Sequence, residues 1–291
     1  MQIIQLLEQN TLFFLTSIAL LGLLVGSFLN VVIYRLPVMM QRSWRYECQV
    51  FLEPDSDVDT PKEAFNLSQP RSRCPSCQHI ISAKENIPVL SYLFLKGRCK
   101  HCKASISIRY PIIEVVTASL SVATAFHFGI NVQTIYALVF VWVLICLSLI
   151  DFDTQLLPDN ITLPLLWLGL FASLFNVFVS PTDAIIGALA GYLSLWSVYW
   201  LFKILTGKEG MGHGDFKLLA AIGAFLGWQI LPLVIMLSAF IGAVLGILLI
   251  VFKRHNKNIA IPFGPYLSFA AIIALFYGPK INGWYLAFSG L

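Results

Sequence analysis

Residues 115–150 read VVTASLSVATAFHFGINVQTIYALVFVWVLICLSLI, 36 positions without a lysine, arginine, aspartate or glutamate. As one straight helix the stretch would be about 54 Å long at 1.5 Å per residue, against a hydrocarbon core of about 30 Å. It therefore holds two crossings, with the turn near Gly129-Ile130-Asn131. The charge-free run 218–252 is also too long for one crossing; it breaks around Gly227-Trp228-Gln229, and Pro232 opens the next helix where a missing N–H is harmless. Runs 9–34, 160–182, 184–202 and 258–279 are each near or above the roughly 18 residues that argue for a membrane helix. The expected fold is an all-α polytopic membrane protein with about eight transmembrane helices.

Composition agrees. Of 291 residues 58% are hydrophobic and 12% charged, where a soluble domain carries about 25% charged, so a water-soluble globule is excluded. The charge is concentrated: residues 35–110 hold 12 of the 19 Lys/Arg and 7 of the 15 Asp/Glu, a net of +5. The chain is expected to divide into a first membrane helix (1–34), a small polar insert (35–110) and a seven-helix membrane part (111–291). No basic residue precedes the first apolar run and Arg35 follows it, so that run reads as an anchor and not as a cleaved signal. The positive-inside bias places the insert in the cytoplasm and the N-terminus outside. Alternation over eight spans then puts Lys203, Lys208, Lys217, Lys253, Arg254 and Lys257 on the insert's side and Lys280 opposite.

Within the insert, Cys74-Pro75-Ser76-Cys77 and Cys99-Lys100-His101-Cys102 form the two-knuckle spacing of a four-thiolate zinc ribbon. Disulfides or redox chemistry are the competing reading, and a reducing cytoplasm counts against them. His79 and His101 are surplus to four thiolates, while Cys48 and Cys146 read as inert. Asp55, Asp57 and Asp59 mimic the start of an EF-hand, but the loop lacks that motif's glycine and closing glutamate.

Outside the insert, Asp151 ends an apolar run and Asp215 follows Gly210-Met211-Gly212-His213-Gly214, both at the insert's side of the membrane by the topology above. Ionisable groups at membrane depth are functional candidates. Helix capping is the rival for Asp215, and Asp159 after Pro158 reads as a cap. Asp151 and Asp153 lie about 200° apart around a helix, so chemistry would select one of them. Two opposed carboxylates sharing a proton can deprotonate water and polarise a peptide carbonyl. Gly212 and Gly214 would let an extended substrate approach. No His-Glu-x-x-His, Gly-x-Ser-x-Gly, P-loop or dinucleotide fingerprint is present.

The chain resembles the bacterial type IV prepilin peptidases, an intramembrane aspartyl protease family. The likeness rests on Gly26-Ser27-Phe28-Leu29-Asn30 through Leu36-Pro37, the cysteine pairs, Arg109-Tyr110-Pro111 with Glu114, Ile150-Asp151 through Leu157-Pro158-Asp159, Gly212-His213-Gly214-Asp215, and Pro262-Phe263-Gly264-Pro265. The resemblance implies Asp151 and Asp215 as the catalytic pair, with Asp153 and Asp159 as bystanders. It implies leader removal from type IV prepilins and type II secretion pseudopilins at the cytoplasmic face of the bacterial inner membrane. N-methylation of the new N-terminus with S-adenosylmethionine would follow, at a site to which no residues are assigned. The expected partners are these substrates and the lipid bilayer, without nucleic acid; the oligomeric state is left open. The rival readings are a transporter or proton relay using the same aspartates, and a purely structural assembly factor.

Overall fold

The computed structural model describes residues 10–52, 65–253 and 262–289. The Asp55, Asp57 and Asp59 reading lies outside the described residues. The described part is helical: α1 (Thr11–Leu52), a 3-10 turn (Ala83–Asn86), α2 (Leu90–Phe94), α3 (Arg109–Phe128), α4 (Val132–Thr154), α5 (Asp159–Ser173), α6 (Pro181–Thr206), α7 (His213–Leu226), α8 (Leu231–Lys253) and α9 (Gly264–Ser289). Apart from the 3-10 turn and α2, the described residues form eight helices of 14 to 42 residues. Five stretches are long and apolar enough to cross a membrane: α1, α3, α4, α6 and Trp228–Leu248. The chain is a membrane protein.

The two expected breaks are present. Gly129 takes φ +72°, and the Asn131 side chain accepts the Thr134 N–H to start α4. Gly227 takes φ +81° between α7 and the short turn into α8. Two boundaries differ from the sequence reading. The first helix does not stop with the apolar run at Tyr34 but continues for 42 residues in all, through Pro37, to Leu52. Helix α5 stops at Ser173, short of the expected 182, because the left-handed turn at Asn176 (φ 51°) redirects the chain before Ser180 caps α6.

Two compact units form, Met1–Phe126 and His127–Leu291. In the first, α1 meets α3 through glycines. A Cβ on Gly22 would lie 2.7 Å from the Ala118 Cα, and one on Gly26 would lie 2.8 Å from the Glu114 Cα. Small residues four apart let two membrane helices touch backbone to backbone, which replaces the hydrophobic drive that lipid does not supply. In the second unit α7 is the central helix, with every residue from 215 to 226 except Lys217 buried. Gly187 and Gly191 of α6 give it room, since a Cβ on Gly191 would lie 2.6 Å from the Leu219 carbonyl oxygen.

Candidate functional site

The insert builds its cysteine cluster from two copies of one turn. The Cys74 N–H donates to the His79 carbonyl and the Gln78 N–H returns to the Cys74 carbonyl; Cys99, Ala104 and Lys103 repeat the pattern. Gln78 and Lys103 close the turns at φ 57° and 62°. Of the ribbon's strands only two single bridges remain among the described residues, Arg73 with Ile80 and Arg98 with Ser105. The four sulfurs lie within 4.8 Å of one another and form no disulfide. Cys74 Sγ is 3.7 Å from Cys102 Sγ, and Cys77 Sγ is 4.0 Å from Cys99 Sγ. Ligands about 2.3 Å from a tetrahedral ion sit about 3.8 Å apart, so the cluster fits a zinc-sized cation. Backbone N–H groups of Cys77 and Ser76 pull the Cys74 thiol down, while desolvation and the neighbouring sulfurs push Cys77 up, as expected of thiols that crowd one charge without a cation between them. His79 and His101 stack at 5.3 Å beside the cluster and outside the sulfur set.

The second site lies where α4 ends and α7 and α9 begin. Of the two aspartates at the end of α4, Asp151 is buried and Asp153 exposed. Gln155 in the left-handed conformation ends α4 by donating its N–H to the Asp151 carbonyl. The Gly264 N–H, first of α9, donates to Asp151 Oδ2 at 2.9 Å. Asp215 is buried in the first turn of α7 and lies close enough for the Asp151 charge to act on it. The Gly212 N–H faces its carboxylate, while Oδ1 is buried without a hydrogen-bond partner. The contact with Gly212 is a capping contact, and Oδ1 is left over from it.

Leu157 joins the two halves of this site. A Cβ on Gly214 would meet Leu157 Cβ at 2.6 Å, and one on Gly264 would meet Leu157 Cδ2 at 3.3 Å. The room at Gly214 is thus occupied by Leu157. Gly212 is the open one, its imagined Cβ meeting only Asp215 Oδ2, at 3.8 Å. Asp159 is not the cap expected from the sequence, since Pro158 holds the N-cap position and no side chain caps α5; instead both Asp159 oxygens accept from Lys217 Nζ at 2.7 Å, tying α5 to α7. The glycine segment before α7 is anchored by Lys203, which contacts Glu209 at 2.8 Å and the Tyr199 hydroxyl at 3.2 Å. That contact holds the Glu209 carboxyl below its usual range. His213 packs between the rings of Tyr199 and Phe216.

A four-thiolate metal cradle and a buried pair of carboxylates occur here in one helical membrane chain. Comparison with known proteins gives both parts one origin. Residues 20–128 match the bacterial peptidase A24 N-terminal domain and residues 138–247 match the type IV leader peptidase family. The prepilin leader peptidase/N-methyltransferase of Aeromonas hydrophila is 55% identical over 274 residues, 94% of each chain. This chain belongs to the type IV leader peptidase family. The proteins of the same name in Pseudomonas aeruginosa and Legionella pneumophila are 53% identical over 100% of this chain and 99% of theirs, and 44% identical over 93% and 94%. No solved structure matches the chain. Within the family's two segments, the cysteines fall in the first and both aspartates in the second.

Sequence reasoning left three participants without a role: the Gly264 amide, the Leu157 wedge, and Lys217 as the partner of Asp159. Pro262-Phe263-Gly264-Pro265 carried a signal, being one of the segments behind the family resemblance. Nothing local to it identified Asp151, 113 residues earlier in the chain.

Proposed function

We infer that this protein removes the leader peptide from type IV prepilins and type II secretion pseudopilins and methylates the new N-terminus. Its relatives of at least 53% identity carry both activities in their name. The observation that supports the protease chemistry best is the buried pair Asp151 and Asp215, with one oxygen held by the Gly264 amide and another left without a partner. Two close carboxylates ionise together only at high cost and so share a proton. The ionised member deprotonates a water, which attacks the scissile carbonyl. The protonated member donates a hydrogen bond to the carbonyl oxygen and later passes its proton to the leaving amine. Substrate enters on the open side at Gly212, in extended form, and Gly214 serves by admitting Leu157. The protease chemistry belongs to residues 111–291 and the metal to the insert 35–110.

The four cysteines would hold Zn²⁺ as a structural cross-link of the two knuckles, since all four positions are filled by protein thiolates and none is left for a reacting ligand. S-adenosylmethionine would supply an electrophilic methyl group. Among the described residues the buried polar atoms without a partner are Asp215 Oδ1 and Ser268 Oγ, which form no cradle for such a ligand, so no residue is assigned to it.

The protein is placed in the bacterial inner membrane, with the insert in the cytoplasm and the N-terminus periplasmic, on the strength of the basic residues that collect on the insert's side. Prepilin offered to the cytoplasmic face of everted vesicles tests both claims. Asp151→Asn and Asp215→Asn are each expected to lower cleavage by about 10²–10⁴-fold. Undiminished cleavage in either variant overturns the dyad, and cleavage from the periplasmic face alone overturns the orientation.

A further inference from the structure

The insert does not stay clear of the helices it joins. Asn30 of α1 donates to the Tyr110 carbonyl at 3.2 Å, Gly26 packs on the Glu114 backbone, and Gly22 packs on Ala118. The two helices thus run antiparallel in register. Gly26 lies about 13 Å along α1 from Arg35, the first basic residue after the apolar run. At that level the Glu114 carboxylate accepts the backbone N–H of Val89 at 2.7 Å and a bond from the Ser27 hydroxyl. Val89 belongs to the insert, so the insert's backbone packs against the second turn of α3.

The chain around Val89 is built for a place without water. Val89 takes φ 58° and ψ −48°, and the Leu90 N–H donates to the Pro88 carbonyl at 2.5 Å. That is the strained hand of the γ-turn, on a β-branched residue. The turn lets the chain double back while its polar groups find partners within the protein. Ser91 N–H and Oγ both bond the Ile87 carbonyl, Leu93 N–H bonds Val89, Leu95 N–H bonds Ser91, and Gly97 N–H bonds Tyr92. Irregular backbone at membrane depth must be covered by protein and have its polar groups bonded there, as the Glu114 carboxylate does for Val89.

Its side chains point the other way. Leu90, Leu93 and Phe94 are 52%, 64% and 83% exposed. Ile112, Val115 and Val116, on the membrane helix α3, are exposed as well. Lys84, Lys96 and Arg98 flank the segment and are exposed. We propose that residues 87–95 form a re-entrant segment: Leu90, Leu93 and Phe94 lie in the lipid of the leaflet on the insert's side, and Lys84, Lys96 and Arg98 sit among its anionic head groups. The occupant of the apolar face is lipid because the segment is tied at Glu114 to a helix apolar enough to cross a membrane, whose residues Ile112, Val115 and Val116 are exposed too, and because its rim is basic. Glu114 and Ser27 then act as the anchor that holds the turn down.

The test places the photo-crosslinker benzoylphenylalanine at Leu93, at Phe94, at Ile112 as a lipid-facing reference, and at Ser76 on a knuckle tip. The full-length protein is irradiated in vesicles of phosphatidylethanolamine and phosphatidylglycerol. The expected result is a mass gain of one phospholipid at Leu93, Phe94 and Ile112 and none at Ser76. Labelling at Ile112 with neither Leu93 nor Phe94 above the Ser76 level overturns the proposal. So does loss of the lipid adduct in favour of a crosslink to prepilin when substrate is added, which would make the face a substrate groove.

Discussion

The geometry of the dyad is set by single atoms that carry no charge. The Gly264 amide can reach Asp151 because nothing projects from its Cα: a Cβ there would lie 2.6 Å from Oδ2 and 3.2 Å from Cγ. Gly264→Ala must push the carboxylate aside or break that bond. Leader cleavage by this variant is expected to fall by about 10²-fold, with metal content unchanged, since misplacing a reacting group by about 1 Å costs that much. Wild-type turnover would show that the amide positions nothing. At Glu209 the relevant quantity is charge. Lys203 lowers its carboxyl from the usual range, so the link contributes above the unfolded pKa and is lost only as pH falls through the lowered folded value. Hydrogen exchange of residues 207–212, corrected for intrinsic rates, should therefore accelerate only in strong acid in the wild type and already at neutral pH in Glu209→Gln. Wild-type protection of the variant at neutral pH would leave the link without a role. The cysteine cluster was legible from residue type and spacing, and the two aspartates as candidates from their place at the ends of apolar runs; the Gly264 amide was not, because every non-proline residue has one.

Helix α7 has 14 residues, about 21 Å, less than the hydrocarbon thickness. It is held by neighbours and not by lipid. Gly187 and Gly191 on α6 present a flat strip to it, and a Cβ on Gly187 would lie 2.8 Å from the Gly223 carbonyl carbon. Gly187→Val is expected to force the two helices apart, costing about 1–3 kcal/mol by overpacking and lowering the unfolding temperature in detergent. Cleavage should fall with it, since Asp215 rides on α7. An unchanged unfolding temperature would mean that the helices can part without loss. The chain's crossings were legible because a charge-free run has few ways to exist except in lipid. The early end of α5 and the length of α1 were not, since both depend on what packs beside them and not on hydropathy.

For the molecule as a whole, the metal site and the dyad belong to separate compact units, 1–126 and 127–291, and their dependences should separate. Protein kept reduced is expected to hold one zinc per chain through the cysteine cluster. Chelation or Cys99→Ser should unfold the knuckles, read as trypsin cleavage at Lys100 and Lys103, while α4, α7 and α9 keep their thermal transition. Metal analysis finding none in reduced protein would overturn the assignment. What the sequence alone could determine was the membrane class, the breaks that divide the long charge-free runs, the thiolate set and the two aspartates to consider. All of these follow from composition, period and local spacing, which the order of residues encodes directly. The tertiary structure decided the rest: that Asp151 is buried and Asp153 is not, that Leu157 fills the gap at Gly214, that Asp159 serves Lys217, and that Glu114 holds the backbone of Val89. Each depends on which surfaces meet, and close packing fixes that through the combined shapes of segments far apart in the chain, information no local window contains.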